Sequence, residues 1–322
     1  RGDFQFQFAW IFAILAGMFI LFLAIYGVIK FVNIQKTSIG AQTAMSIGVL
    51  INPLESGFES EKRDIIDAHA ETRIYTDCSN TSIFGKQIIR TSEKSYKKWG
   101  EELVNVSFQN RYIFSKNPVE GRTFYLFSKP LEFPFKVADL VYLTSTQDKY
   151  CFINPPDDIE DQINDLRGDE EEEVSENENF FLADRKSECP TGSTTICFHG
   201  EKCDATVSTN PISKYVQKRS ERMYYEGDAL MYAAIFSSKE DYECQLDRLM
   251  NRTEQLFEIY SDKAKFILQE TGCNTELDVE LMQMLALIKG FEESWDLPVI
   301  YSLAEDMGEK NDNAGYEGCK LW

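Results

Sequence analysis

The feature of this chain that most constrains its fold is an uncharged, mostly apolar run of 26 residues, from Phe4 to Ile29. A helix needs about 20 apolar residues to cross a bilayer, so this run is long enough to span one. A cleavable secretory signal has a shorter apolar core of about 7–15 residues, followed by a small-x-small site, and the run has neither property. We therefore expect it to remain in the working protein, as a helix that continues to about Ser46 and ends before Pro53.

All eight cysteines lie after the apolar run, and none belongs to a C-x-x-C pair. An even number of cysteines without that spacing favours disulfides over zinc, and disulfides persist in oxidising compartments. We expect Cys197 to pair with Cys203 across one turn, and Cys244 to pair with Cys319 where a C-terminal helical hairpin returns the chain. The residues predicted to form disulfides are Cys78, Cys151, Cys189, Cys197, Cys203, Cys244, Cys273 and Cys319.

Three N-x-S/T sequons, at Asn80, Asn105 and Asn251, lie on the same side of the apolar run as the cysteines. Such triplets accept N-linked glycan and are then exposed at the surface. The flanking charges point the other way, because Lys30 and Lys36 favour a cytoplasmic location for the part of the chain after the apolar run. We give more weight to the cysteines and sequons, and we expect an extracellular glycoprotein at the cell surface.

The formal net charge of −20 narrows the range of partners. Nucleic-acid phosphates and anionic lipid headgroups select basic surfaces, so we expect no nucleic acid as a partner and no adhesion to lipid headgroups. The chain is 43% hydrophobic and 13% aromatic, which is enough to build packed cores after the apolar run.

The C-terminal part has its clearest pattern between residues 239 and 270, where apolar side chains recur three or four positions apart, as on one face of a long helix. Ser238 and Asp241 predict its N-terminal cap, and Gly272 predicts its end. The stripe consists of Tyr242, Leu246, Leu249, Thr253, Leu256, Tyr260, Ala264 and Ile267.

The middle of the chain is predicted to form strands, because short runs rich in Ile, Val, Tyr and Phe alternate with Gly, Pro and Asn. The segment from His199 to Lys202 is predicted to be a hairpin turn between the last two strands. Helices are expected from Ser213, with a partner helix from Thr275 that forms a hairpin with the long one and a further helix after Pro298. The predicted strands are residues 72–78, 86–92, 111–115, 122–127, 137–143, 149–154, 194–198 and 203–207.

These patterns predict an α+β fold in three parts. A long N-terminal hydrophobic helix occupies residues 1–55, a β-rich extracellular domain occupies 56–212, and an α-helical region occupies 213–322. Within the middle domain, residues 157–179 carry twelve Asp and Glu residues and one Arg.

The acidic segment is expected to begin with a short helix after Pro155-Pro156 and to become a solvated loop from Gly168. Calcium binding is the alternative for this segment. Its carboxylates lack the D-x-D-x-D-G spacing that folds a loop around one ion.

Catalytic side chains are scarce in this sequence. Of the two histidines, His69 is expected on the surface of a helix, and His199 lies between Cys197 and Cys203, where metal ligation is the alternative to a disulfide-closed turn. No G-x-S-x-G, P-loop or H-E-x-x-H motif occurs. We therefore expect a protein that is not an enzyme and needs no cofactor or metal.

A stripe of small residues, Ala9, Ala13 and Gly17, runs along the apolar helix at intervals of four. Such a stripe lets a second helix approach closely and predicts helix packing, in a dimer or a larger bundle. The alternative is an anchor that faces lipid, in which the small residues have no partner.

A basic-Gly start followed by an uninterrupted apolar helix and a β-rich head resembles type IV pilins and the related archaeal pilins and flagellins, over about the first 45 residues. In that family the helix resides in the membrane until extraction and then packs with its neighbours in the core of a filament. Through "FQFAWIF", "YCFINPP", "CFHGEKCD" and "AAIFSS" the chain is also similar to single-pass archaeal surface proteins, a likeness that implies an architecture and no activity.

We expect a non-enzymatic structural protein of the cell surface, a pilus-like filament subunit that assembles with copies of itself through the N-terminal helix. The alternative is a single-pass, membrane-anchored ectodomain used for adhesion or partner binding. In both cases the membrane is a partner of the helix.

Overall fold

The computed structural model describes residues 10–30, 63–82, 84–95, 98–100, 104–167, 179–200, 202–316 and 319–322. Within these residues the expected α+β fold is confirmed: an N-terminal apolar helix, a β-rich middle with two sheets, and C-terminal helices. Helix α1 spans Trp10–Lys30. The predicted continuation to Ser46, its end at Pro53, and Ala9 of the small-residue stripe lie outside the described residues.

The first sheet has seven strands in the order β3-β2-β1-β6-β7-β5, with β4 paired to β2. Neighbouring strands are antiparallel except β5 and β7, which are parallel. The strands are β1 (Arg63–Ser79), β2 (Lys86–Ser95), β3 (Lys98–Trp99), β4 (Val104–Phe108), β5 (Tyr112–Phe114), β6 (Val119–Glu132) and β7 (Lys136–Ser145). The helix expected around His69 is wrong, because this segment is an irregular part of β1, where the pairing with β6 shifts register between Asp67 and Thr72.

The second sheet has the order β13-β12-β11-β10-β8-β9. Its strands are β8 (Tyr150–Ile153), β9 (Phe180–Ala183), β10 (Thr194–Cys197), β11 (Ala205–Ser208), β12 (Tyr215–Lys218) and β13 (Glu221–Tyr224). Helices therefore do not begin at Ser213 as expected. Two further strands extend the sheet first, and the boundary placed at residue 212 falls between the paired strands β11 and β12.

The hairpin turn expected at residues 199–202 is also wrong, because β10 and β11 run parallel. The chain must return to the starting end of β10 before β11 begins. Asp204 holds this return in place, since its Oδ2 accepts hydrogen bonds from the backbone N–H of Thr195 at 2.9 Å and from Thr195 Oγ1 at 2.7 Å.

We call the part of the chain from residue 63 to residue 322 the head. Its described residues also form five α-helices: α2 (Asp157–Arg167), α3 (Gly227–Phe236), α4 (Lys239–Thr271), α5 (Asp278–Lys289) and α6 (Leu297–Tyr316). Helix α4 begins where predicted, with Ser238 Oγ accepting the backbone N–H of Asp241, and ends where predicted, with Gly272 in the left-handed conformation at φ 72°. Helices α4 and α5 form the expected hairpin. The predicted short helix of the acidic segment is α2, and residues 168–178 lie outside the described ranges.

One hydrophobic core joins both sheets to the C-terminal helices. Helix α3 lies in its middle, and every side chain from Ala229 to Phe236 is buried. The rings of Phe127 on β6 and Tyr142 on β7 stack 4.6 Å apart, and Phe236 at the end of α3 packs edge-on against Phe127. Phe127 also packs edge-on against Phe180 on β9, 5.9 Å away, so the two sheets meet directly at this point as well as through α3.

All eight cysteines are paired, as Cys78–Cys244, Cys151–Cys189, Cys197–Cys203 and Cys273–Cys319. The pairing across the Cys197–Cys203 segment is the expected one, and the pairing of Cys244 with Cys319 is wrong. Cys244 and Cys273 lie near opposite ends of α4, about 40 Å apart at the rise of a helix. Helix α6 reverses the chain once more and brings the C-terminus to the C-terminal half of α4, where Lys263 Nζ donates to Leu321 O at 2.5 Å. Cys319 therefore lies near Cys273 and far from Cys244.

Candidate functional site

Helix α1 is long and apolar enough to cross a membrane, with 21 residues and a mean hydropathy of 2.6. At about 1.5 Å per residue it is about 31 Å long, which matches the hydrocarbon core of a bilayer. Trp10 lies at one end, and Tyr26 and Lys30 lie near the other. Aromatic and basic residues at those levels are typical of membrane–water interfaces.

The small-residue stripe is described at Ala13 and Gly17. A Cβ built on Gly17 would meet nothing within 4 Å, so the stripe contacts no described part of its own chain. Ala24, seven residues after Gly17, continues the same face of α1. Packing of this face against another helix stays a prediction.

The sequons occupy different environments. Asn80 is exposed, and its Nδ2 donates to Asp247 Oδ2 at 3.0 Å. Asn251 is half-buried on α4, away from the fully buried Leu249 and Thr253. The side chain of Asn105 is not among those described, and glycosylation of all three stays a prediction.

The two histidines lie apart and are exposed, His69 on β1 and His199 in the loop after β10. Among the described residues, no three His, Cys, Asp or Glu side chains come together as metal ligands. The acidic residues after Arg167 lie outside the described ranges, so the calcium alternative is not addressed by the structure.

A candidate binding site in the described part of the head is an open cleft of about 770 Å³ between the end of β1, the second sheet and the junction of α3 with α4. We call it the Lys218 cleft. The Cys78–Cys244 disulfide forms part of one wall and ties β1 to the second turn of α4. The lining residues are Asp77, Cys78, Asn80, Lys116, Asn117, Tyr150, Thr194, Lys218, Ile235, Phe236, Ser237, Ser238, Glu240, Asp241 and Cys244.

Lys218, at the end of β12, projects into this cleft. Its Nζ donates to the backbone carbonyl of Ser237, the residue that caps α3, at 2.6 Å. Burial lowers the pKa of Lys218 to about 8, against a smaller opposing effect of Glu221, its cross-strand neighbour on β13. The amine is therefore held by a neutral oxygen in a place that disfavours its charge.

Most other charges of the cleft already have partners. Asp77 Oδ2 lies 2.6 Å from an Arg90 nitrogen, and Lys116 Nζ lies 3.2 Å from Asp148 Oδ1. Burial raises the pKa of Asp241, although its Oδ2 accepts a hydrogen bond from Ser238 Oγ at 2.7 Å.

The floor of the cleft is apolar beneath a polar rim. Tyr150 and Phe236 are buried there with their rings edge to face, 4.9 Å apart, and burial raises the pKa of the Tyr150 hydroxyl. The rim carries the hydroxyls of the exposed residues Thr194 and Ser238. A small ligand in the cleft would therefore contact an apolar surface and form hydrogen bonds with the polar rim.

The sequence did not point to this cleft. Lys218 falls in a stretch expected to be helical, and its strand pairing with β11 was the missing information. The small-residue stripe and the sequons, by contrast, are visible in the sequence, but the structure does not bring the stripe into contact with the head.

No protein-family model matches the chain, and neither a curated protein nor a solved structure matches it.

Proposed function

We propose that the protein is a membrane-anchored ectodomain at the cell surface, in which α1 is the anchor and the disulfide-bonded head is a binding module without catalytic turnover. One observation carries the proposal. Every Ile, Leu, Phe, Met, Val, Trp and Tyr side chain of α1 is exposed, on all sides of the helix. Burying one such side chain is worth about 1.5–3 kcal/mol, so α1 requires an apolar environment that the described head does not supply.

The disulfides support an extracytoplasmic head. Cys151 and Cys197 are fully buried in the second sheet, and their bonds to Cys189 and Cys203 cross-link its loops. A third bond, Cys78–Cys244, joins parts of the chain that are 166 residues apart. Cross-links of this kind persist in oxidising compartments and stabilise a fold by restricting the unfolded chain.

A filament subunit is the second candidate function. It is favoured by the small face of α1, where Ala13, Gly17 and Ala24 leave room for another helix backbone, and by the likeness of the N-terminal region to type IV pilins. The two candidates differ in what covers α1. An anchor faces lipid on all sides, whereas a filament subunit packs this face against identical helices.

Replacement of Gly17 by Ile separates the two candidates. The larger side chain keeps α1 apolar, so insertion into the membrane should persist. At a tight helix–helix contact, overpacking costs about 1–3 kcal/mol, and in a polymer this cost recurs at every subunit. The matched control is Phe22→Leu, a change of size on another face of α1.

The measurement combines membrane fractionation with electron microscopy of sheared surface material. As an anchor, both the unchanged protein and Gly17→Ile should remain in membranes after an alkaline wash, with none in sheared filaments. If the unchanged protein is recovered in sheared filaments and Gly17→Ile abolishes them, the filament function is correct and the anchor proposal is wrong. Release of the unchanged protein by the alkaline wash, without filaments, would contradict both.

A further inference from the structure

The amine of Lys218 differs from the other well-placed amines of the head. Among the described residues its one polar contact is the carbonyl of Ser237, at 2.6 Å, and none of their carboxylates lies within ion-pair distance of it. Lys214 and Lys239, on neighbouring elements, lie 2.8 Å from Glu226 and 3.1 Å from Glu293 respectively. A lysine ammonium has three donors, so Lys218, which lines the cleft, retains N–H groups that make no hydrogen bond to the described residues.

Burial and the nearby negative charge have opposite effects on this amine: burial favours its neutral form, and a carboxylate favours the ammonium. Glu221 on β13 acts in favour of the ammonium. Glu240 and Asp241, in the first turn of α4, line the same cleft. Asp77 is compensated by Arg90. Desolvation remains the largest effect and lowers the pKa of Lys218 to about 8.

The surroundings decide which class of ligand fits. An anion would meet Glu240, Asp241 and a chain of net charge −20, so electrostatic repulsion opposes it. A neutral ligand is not repelled. The hydroxyls of Thr194 and Ser238 and the amide of Asn117 suit a ligand with hydroxyl groups of its own, and a cleft of about 770 Å³ is large enough for a small molecule.

We infer that Lys218 binds small hydroxyaldehydes, such as open-chain sugars, as a reversible imine within the Lys218 cleft. The inference is independent of whether α1 is an anchor or a filament helix. It is a mode of binding and requires no turnover.

The covalent step balances without any further reactant. The neutral amine of Lys218 attacks the carbonyl carbon, a C–N bond forms, and the amine proton moves to the oxygen to give a carbinolamine. Loss of the hydroxyl with a proton from water, and of the second amine proton to water, forms the C=N bond and releases one water molecule. Hydrolysis reverses the sequence.

The proposal is tested on the full chain in detergent with glycolaldehyde as the probe and cyanoborohydride as the trap, which delivers hydride to the imine carbon. Modified lysines are then located by peptide mass spectrometry. At pH 7 an amine of pKa about 8 is roughly 200-fold more often neutral than an ordinary lysine. Nucleophilicity falls as the pKa falls, and a Brønsted coefficient of about 0.5, the value for thiolate nucleophiles, applied to this amine removes roughly 15-fold of the advantage.

We therefore expect Lys218 to be labelled about 10–20-fold faster than Lys116, which lines the same cleft with its side chain 63% exposed. Labelling of Lys218 should rise with a midpoint near pH 8, whereas labelling of exposed lysines should still increase above pH 9. Equal labelling of the two lysines, or none at Lys218, would overturn the proposal.

Recognition of the hydroxyl group is tested separately with acetaldehyde. The ratio of labelling at Lys218 to that at Lys116 should be higher with glycolaldehyde, and an equal ratio would refute a preference for hydroxyaldehydes.

Lys218→Arg keeps the cation and removes the amine, so the fast label should disappear. Lys116→Arg is the control that should leave it unchanged. Because the ratios are measured on the unchanged protein, the test stands even if Lys218→Arg fails to fold.

Discussion

Arg248 on α4 is fully buried and has hydrogen-bond partners without negative charge, which makes its replacement the sharpest test of how the head is held together. Its guanidinium donates from NH1 to Arg111 O at 2.9 Å and Gln245 Oε1 at 2.6 Å, from NH2 to Gln109 O at 2.8 Å and from Nε to Phe84 O at 3.2 Å. Burial lowers its pKa to about 10. One side chain thus binds α4 to two loops of the first sheet.

We expect Arg248→Met to destabilise the head by about 3–5 kcal/mol. Met keeps much of the volume but leaves two fully buried acceptors, on Arg111 and Gln245, without donors, at about 1–3 kcal/mol each. The carbonyls of Phe84 and Gln109 are closer to solvent and cost less. Removing a buried cation also returns part of its desolvation cost, which keeps the net destabilisation below the largest sum of these penalties.

The assay is urea unfolding of the oxidised protein, compared with Arg252→Met. Arg252 lies one turn later on α4 in a half-buried position, and its Nε donates to Val137 O at 2.8 Å, so its loss should cost about 1 kcal/mol. Arg248→Lys should fall between, since one ammonium cannot span all four acceptors. If Arg248→Met costs no more than Arg252→Met, the reasoning about unsatisfied acceptors is wrong.

Three further predictions concern single positions. Gly85→Ala should cost about 2–4 kcal/mol in urea unfolding, because φ is +58° and the new Cβ would lie 2.6 Å from Arg248 Cγ. Ser238→Ala should cost about 1 kcal/mol by removing the cap of α4. The folded state releases the proton of Lys218 near pH 8 and the unfolded state at 10.5, so stability rises with pH in that window. In Lys218→Met, the free energy of unfolding should rise by roughly 2–3 kcal/mol less over this pH range, as measured by urea unfolding at several pH values. The same pH dependence in Lys218→Met and the unchanged protein would contradict the lowered pKa of Lys218.

The parts of the fold that were predicted from the sequence are those that local chemistry determines. The limits of α4 follow from a stripe with helical spacing, from a Ser at the cap and from Gly272, whose lack of a Cβ permits the left-handed conformation. Each of these signals lies within a few residues of the feature it specifies. Five of the seven strands of the first sheet were predicted for the same reason, although only the second half of β1 was among them and β3 and β4 were not.

The errors arose where distant segments decide the structure. Strand β12 is held by pairing with β11 and β13, and its short sequence carries no strong preference of its own. The residues between Cys197 and Cys203 are compatible with a hairpin. In the structure β10 lies between β8 and β11 and is parallel to both, and this arrangement depends on β8, which lies far earlier in the chain. The partner of Cys244 was missed because it lies 166 residues earlier, at the end of β1.

The Lys218 cleft also depends on distant segments and could not be predicted from the sequence. Its walls come from parts of the chain that are far apart, and none of its polar residues belongs to a recognisable motif. What makes the cleft a defined site is the attachment of β1 to α4. The Cys78–Cys244 disulfide lies in its wall, and Arg248, one turn further along α4, binds the loop after β1 through Phe84 O. Both links fix the same pair of elements, so loss of Arg248 should loosen the loop while the disulfide still holds the wall. We therefore expect Arg248→Met to lower the free energy of unfolding and to leave the ratio of labelling at Lys218 to that at Lys116 nearly unchanged. Opening the Cys78–Cys244 disulfide should lower both the free energy of unfolding and this ratio.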